Sequence, residues 1–180
     1  MNDNQKSPMN KLNVGLICSL ILLCGNAHAQ FTIYTIDNQY KAVFPGSPQF
    51  AGETGSGEQK YRSYNYTDQG NGIVYTATYQ VGKTHFSKKD VPAAIRYYVN
   101  AYAKVGNGIL TSYRNQLVDG NDSAVFSIKY ELNGVPIRKY SVVAYKNGQF
   151  FQWAVADFAP LSSLSAEQIF NKYLANFSTK

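Results

Sequence analysis

Nucleophilic catalysis needs a nucleophile, a base to take its proton and a group to orient that base. The sequence holds little material for such a set. It contains two histidines and two cysteines, and all of them except His85 fall within the first 29 residues. No Gly-x-Ser-x-Gly elbow is present. His85 lies in the polar segment Lys83-Thr84-His85-Phe86-Ser87-Lys88, for which a solvated imidazole is the simple reading. A hydrolase using His85 with a serine and an aspartate is the catalytic alternative the composition leaves open. A zinc site needs three or four His, Cys or carboxylate ligands, and His85 with Asp90 five residues on cannot supply them. Asp119-Gly120-Asn121-Asp122 has oxygen ligands but not the spacing of a calcium loop, so it reads as an Asx-rich turn. Gly55-Ser56-Gly57 lacks the Lys-Ser/Thr of a phosphate loop, and no pair of acids suggests a glycosidase. No cofactor and no enzymatic activity are expected.

Aromatic side chains are the unusual feature. All 15 tyrosines, ten phenylalanines and the one tryptophan follow residue 30. Most should fill the two faces of a sheet, because aromatic residues favour strands and bury large areas. A remainder exposed beside arginine would form a recognition patch, since Tyr and Arg dominate interface hot spots. The candidates are Arg62, Tyr64 and Tyr66, with Arg114 and Arg138. A carbohydrate binder using stacked tyrosines is the alternative reading of the same residues. The net charge of +6 is scattered, with no basic run longer than Lys88-Lys89 or Arg138-Lys139. A nucleic-acid binder would concentrate that charge on one face, so no nucleic acid is expected, and only a mild preference for acidic surfaces or anionic partners follows.

The elements that must carry these residues follow from periodicity and turn chemistry. Alternation predicts strands over 31–36, 40–44, 60–66 and 73–81, with Gly52 to Gly57 as a flexible turn and 68–72 as a hairpin loop. Ile95, Tyr98, Val99 and Tyr102 recur at helical spacing. Ser87 with Asp90 offers a capping box for that helix, Pro92 is tolerated in its first turn, and Gly106 ends it. Strands are then expected over 109–118, 124–132, 137–145 and 149–158. Asp119–Asp122, Asn133-Gly134 and Asn147-Gly148 turn between them as an antiparallel meander. A last helix starts at Ser165 with Gln168 three residues on, and Leu164 and Ile169 form a hydrophobic staple around it. The expected class is α+β: one domain over 30–180 with a mainly antiparallel sheet of about six to eight strands and helices packed on it.

The N-terminus predicts export. Lys6 and Lys11 precede an apolar run from Val14 to Cys24, and Ala27-His28-Ala29 supplies the small residues of a signal-peptidase site. Cleavage is expected between Ala29 and Gln30. The run is too short for a membrane span of about 20 residues, so no stable insertion is expected after cleavage. The chain beyond it holds no cysteine, which suits a bacterial periplasmic or secreted protein folding without disulfides. A monomer is expected.

Tyr40-Lys41-Ala42-Val43-Phe44-Pro45-Gly46-Ser47-Pro48 resembles the aromatic-x-Val-x-Phe-Pro-Gly-x-Pro opening of PsbP-like domains. These share an α/β/α sandwich with the Ran-binding protein Mog. The resemblance implies an adaptor or assembly protein that binds a partner, such as a photosystem or a small GTPase, without catalysis. It carries no site residue over to this chain. The exported, cysteine-free form also resembles secreted bacterial members, including substrates of type II secretion. Together these readings predict a secreted, non-enzymatic binding protein, effector-like in kind, that recognises a protein partner.

Overall fold

Three pairs of residues decide how four strands of the main sheet fold back on one another. Asp119-Gly120, Asn133-Gly134 and Asn147-Gly148 all hold positive φ at both positions (51° and 80°, 52° and 80°, 52° and 86°). Such turns twist with the strands they join, which makes two-residue hairpins favourable. They link β6 (Ile109–Val118), β7 (Asn121–Leu132), β8 (Val135–Lys146) and β9 (Gln149–Phe158) into a meander. The first turn is shorter than the sequence suggested: Asn121 and Asp122 already belong to β7, paired with Val118 and Leu117.

The computed structural model describes residues 30–158 and 165–180. The expected signal segment, with Ala29 on its side of the cleavage point, and Leu164 of the expected staple lie outside the described residues. Phe31–Lys180 form one compact unit. Before the meander come β1 (Thr32–Ile36), β2 (Tyr40–Phe44), β3 (Gln49–Thr54), β4 (Tyr61–Asp68), β5 (Ile73–Gln80) and helix α1 (Val91–Val105). Helix α2 (Ala166–Tyr173) follows β9. Seven strands form one antiparallel sheet in the order β3-β4-β5-β9-β8-β7-β6, and β1 pairs with β2 in a separate hairpin.

Strand β3 replaces part of the expected flexible turn. Its pattern does not alternate, and a bulge between Phe50 and Gly52 breaks its register with β4. Pairing with a neighbour supplies what local pattern does not. The expected capping box at α1 also differs. Asp90 occupies the N-cap without a side-chain cap bond, and the Ser87 hydroxyl is instead hydrogen-bonded to the Asp90 carboxylate. At α2 the expected box is present: Ser165 Oγ accepts from Gln168 N, and Gln168 Oε1 accepts from Ser165 N, each at 3.2 Å.

Each face of the sheet carries its own core. On one face Tyr75, Ala77, Val142, Trp153 and Val155 pack against the β1–β2 hairpin and α2. Trp153 is wholly buried there, stacked on Phe170 with centroids 5.4 Å apart, and its indole N–H donates to Val43 O at 3.0 Å. On the other face Val91, Ile95, Val99 and Ala103 of α1 pack against Ala124, Phe126, Ile128 and Val143. Burying one such side chain contributes roughly 1.5–3 kcal/mol. The class is therefore α+β, an antiparallel sheet with helices packed on it.

Candidate functional site

Strand alternation puts Arg62, Tyr64 and Tyr66 on one face of β4, opposite Tyr79, Ala77 and Tyr75 of β5. Asp37, at the tip of the β1–β2 hairpin, reaches this face. Its carboxylate accepts from Tyr64 Oη at 2.8 and 2.7 Å and from Tyr79 Oη at 2.7 Å, and stands 3.6 Å from Arg62 Nη1. Arg62 Nε donates to Glu53 Oε1 at 2.6 Å, and Lys60 pairs with the same carboxylate. Partial burial pushes the Asp37 carboxyl up, but the two phenols and Arg62 outweigh it, so the group titrates below its ordinary range. Burial and the bond to Asp37 push the Tyr64 phenol up to about 12. Tyr66 packs on Tyr75 at 6.1 Å, beside Gly46. Two carboxylates thus answer the charge of Arg62 within the fold. The cluster fastens a hairpin to the sheet.

Arg114 and Arg138 lie elsewhere. Arg138, on β8, pairs at 3.6 Å with Asp157, whose other oxygen accepts from Ala166 N at the start of α2. Arg114 is exposed on β6, the far edge of the sheet from β3, with a 3.5 Å contact to Gln116 Oε1. The five residues therefore occupy three separate places. Beside Arg114 the fold makes a second aromatic–basic contact that the sequence reading missed: the Arg96 guanidinium of α1 sits 4.2 Å from the centre of the Tyr113 ring. Nothing local signals it, because the two residues meet only through the packing of α1 on β6.

His85 is exposed and, among the described residues, hydrogen-bonds to no serine or carboxylate. Its ring lies against the Asn147-Gly148 turn, within 3.2 Å of where a Cβ on Gly148 would stand. Asp119 accepts from Ser178 Oγ and Thr179 N, each at 2.7 Å, so the acid of the expected Asx-rich turn ties down the C-terminal tail. Among the described residues no group of three His, Cys, Asp or Glu stands close enough to hold a metal ion. Of the tyrosines, Tyr97 alone has an openly exposed ring. No helix among the described residues is long and apolar enough to cross a membrane.

The architecture defines a sheet-rich α+β class. No family model and no curated protein matches the chain. Among solved structures it is similar to PA94, a Pseudomonas aeruginosa protein of unknown function (TM-score 0.51, 9% identity, 83% of this chain and 97% of that one). It is also similar to cyanobacterial PsbP from Synechocystis (TM-score 0.47, 9% identity, 87% and 96% of the two chains). At this identity the likeness to PA94 is one of fold.

Proposed function

We propose that this chain is an exported, non-enzymatic binding protein that captures an extended acidic segment of a protein partner along the β6 edge. One observation carries the reading: β6 is ten residues long and, among the described residues, pairs with β7 alone. An edge strand offers a row of backbone donors and acceptors to any strand that arrives, and native proteins usually blunt it. The opposite edge is blunted. Strand β3 is six residues long, bulged at Phe50/Gly52, and flanked by the paired charges of Glu53, Lys60 and Arg62. Past its own bulge between Leu110 and Ser112, β6 runs regularly to Val118, with no proline or lysine. Ile109 and Leu117 stand 69% and 66% exposed along it, apolar anchors for strand addition.

Charge supports the choice of partner. No acid occurs between Asp90 and Asp119, whereas Arg96, Lys104 and Arg114 do. Asp122 stands opposite Leu117 at the turn end of this edge, so an acidic segment is drawn chiefly to the part of it beside Arg96 and Arg114. The helix on each face of one sheet, together with the Tyr40–Pro48 motif, supports placing the domain with the PsbP-like and Mog-like sandwiches, whose members bind partners. Export rests on the signal segment 1–29 and its cleavage before Gln30, with the periplasm or the medium as destination.

The test is site-specific photo-crosslinking in the exporting cell and its medium. A photoreactive residue at Leu117 should give a discrete protein adduct, and one at Phe50 on the opposite edge should not. Arg114→Glu should suppress the adduct while the protein remains folded. Equal labelling from both edges, or no adduct from Leu117, would remove the support for this reading.

A further inference from the structure

A cavity of about 190 Å³ opens where α1 ends over β7 and β8, lined by Tyr102, Ala103, Val105, Ile128, Tyr130 and Lys139. It is independent of the β6 edge. Lys139 is half-buried; its ammonium is hydrogen-bonded to Tyr102 Oη and lies 5.1 Å from the centre of that ring. Among the described residues no carboxylate pairs with it, although charges taken from water are normally paired. Two of the carbonyls ending α1 are satisfied without it: Ala103 O accepts from Gly108 N at 2.8 Å and Lys104 O from Asn107 N at 3.1 Å. Burial disfavours its charge, but the contacts with Tyr102 and Tyr130 outweigh that and push its pKa up.

The lining side chains present donors at every polar point. An ammonium has three N–H groups and no acceptor, and Tyr102 uses one of them. The Tyr102 hydroxyl, accepting that bond, retains its own proton to donate. Among the described residues the Tyr130 phenol lies beside Lys139 and Tyr102 without a side-chain hydrogen bond. The remaining walls are aliphatic or aromatic side chains and the backbone of Gly106. The volume is below the roughly 300–1,000 Å³ of sites for drug-sized ligands and equals about six waters. The geometry points to a binding site for a small monocarboxylate with an apolar body: Lys139 and the two phenols hold the carboxylate, and the aliphatic wall holds the body. Leu132 and Val135, exposed on the same face one alternation beyond Tyr130 and Ile137, extend the apolar path outward.

Benzoate is a suitable probe and benzyl alcohol its neutral counterpart. Amide spectra of the protein, expressed from the full-length sequence in an exporting host, should shift saturably with benzoate at Ile128, Tyr130 and Lys139. Benzyl alcohol should not saturate over the same range. Lys139→Met should weaken benzoate at least about tenfold, the loss of one charge-assisted hydrogen bond, and Lys139→Arg should retain it. Equal affinity for the two probes, benzoate binding untouched by Lys139→Met, or no saturation at all would overturn the assignment. If Lys139→Met loses amide dispersion, Tyr130→Phe decides: it deletes one hydroxyl, and unchanged benzoate affinity would count against the site.

Discussion

Asp37 is the clearest case of one residue doing the work of an interface. It turns the β1–β2 hairpin at φ 45° and gathers donors from two different strands of the main sheet. Its folded pKa lies below the ordinary carboxylate value of about 3.9. A depressed folded pKa means that the unfolded chain binds the proton more readily. The stability this group contributes is therefore complete above the unfolded value and lost as pH falls through the folded one. Asp37→Asn should lower the urea midpoint at pH 7, and the gap from the parent should close as pH falls from about 4 towards 2. A gap that persists unchanged in acid would show that the carboxylate's charge is not what matters. Arg62 and Tyr64 were picked out by residue type as candidates for a recognition patch, not as anchors of a hairpin. Asp37 was not, because it lies 27 residues from Tyr64 and reaches it only when a hairpin folds back onto the sheet.

Hairpins show at the scale of elements which local signals survive folding. Asn133-Gly134 and Asn147-Gly148 were readable because positive φ at two successive residues is costly for anything else. Strand β3 was unreadable because only its partner, β4, defines it. The two Asn-Gly turns also differ in a way the sequence hides. A Cβ at Gly134 would meet nothing within 4 Å, whereas one at Gly148 would stand 3.2 Å from both the His85 ring and the Lys83 side chain. Both glycines hold φ of 80° or more, so alanine at either loses roughly 1–2 kcal/mol to backbone strain alone. Gly148→Ala should therefore cost more than Gly134→Ala in equilibrium denaturation, and the excess should shrink when His85 is also replaced by alanine. Equal costs would mean that the 83–85 segment yields freely.

The two faces of the sheet were expected from the surplus of aromatic side chains, but how tightly they are coupled depends on the central strands. Strand β8 gives Val142 and Ala144 to the core under α2, and Val143 and Tyr145 to the core under α1. Strand β9 does likewise with Trp153 and Val155 on one side and Phe150 on the other. Neither core can dissolve without stripping one face from strands that the other core needs, so the unit should unfold in a single transition. The sole tryptophan makes this measurable, because Trp153 reports only the α2 face. Ile95 is 1% exposed and belongs to the opposite core. Ile95→Ala should destabilise by roughly 2–5 kcal/mol. The loss should appear undiminished in the Trp153 fluorescence transition, although the two residues sit in different cores. Coincident fluorescence and far-ultraviolet dichroism curves, shifted together by Ile95→Ala, would establish one cooperative unit. A Trp153 transition left in place while dichroism shifts would mean instead that α1 and its core melt separately, and that the face carrying Arg96 and the α1 end of the cavity opens without the rest.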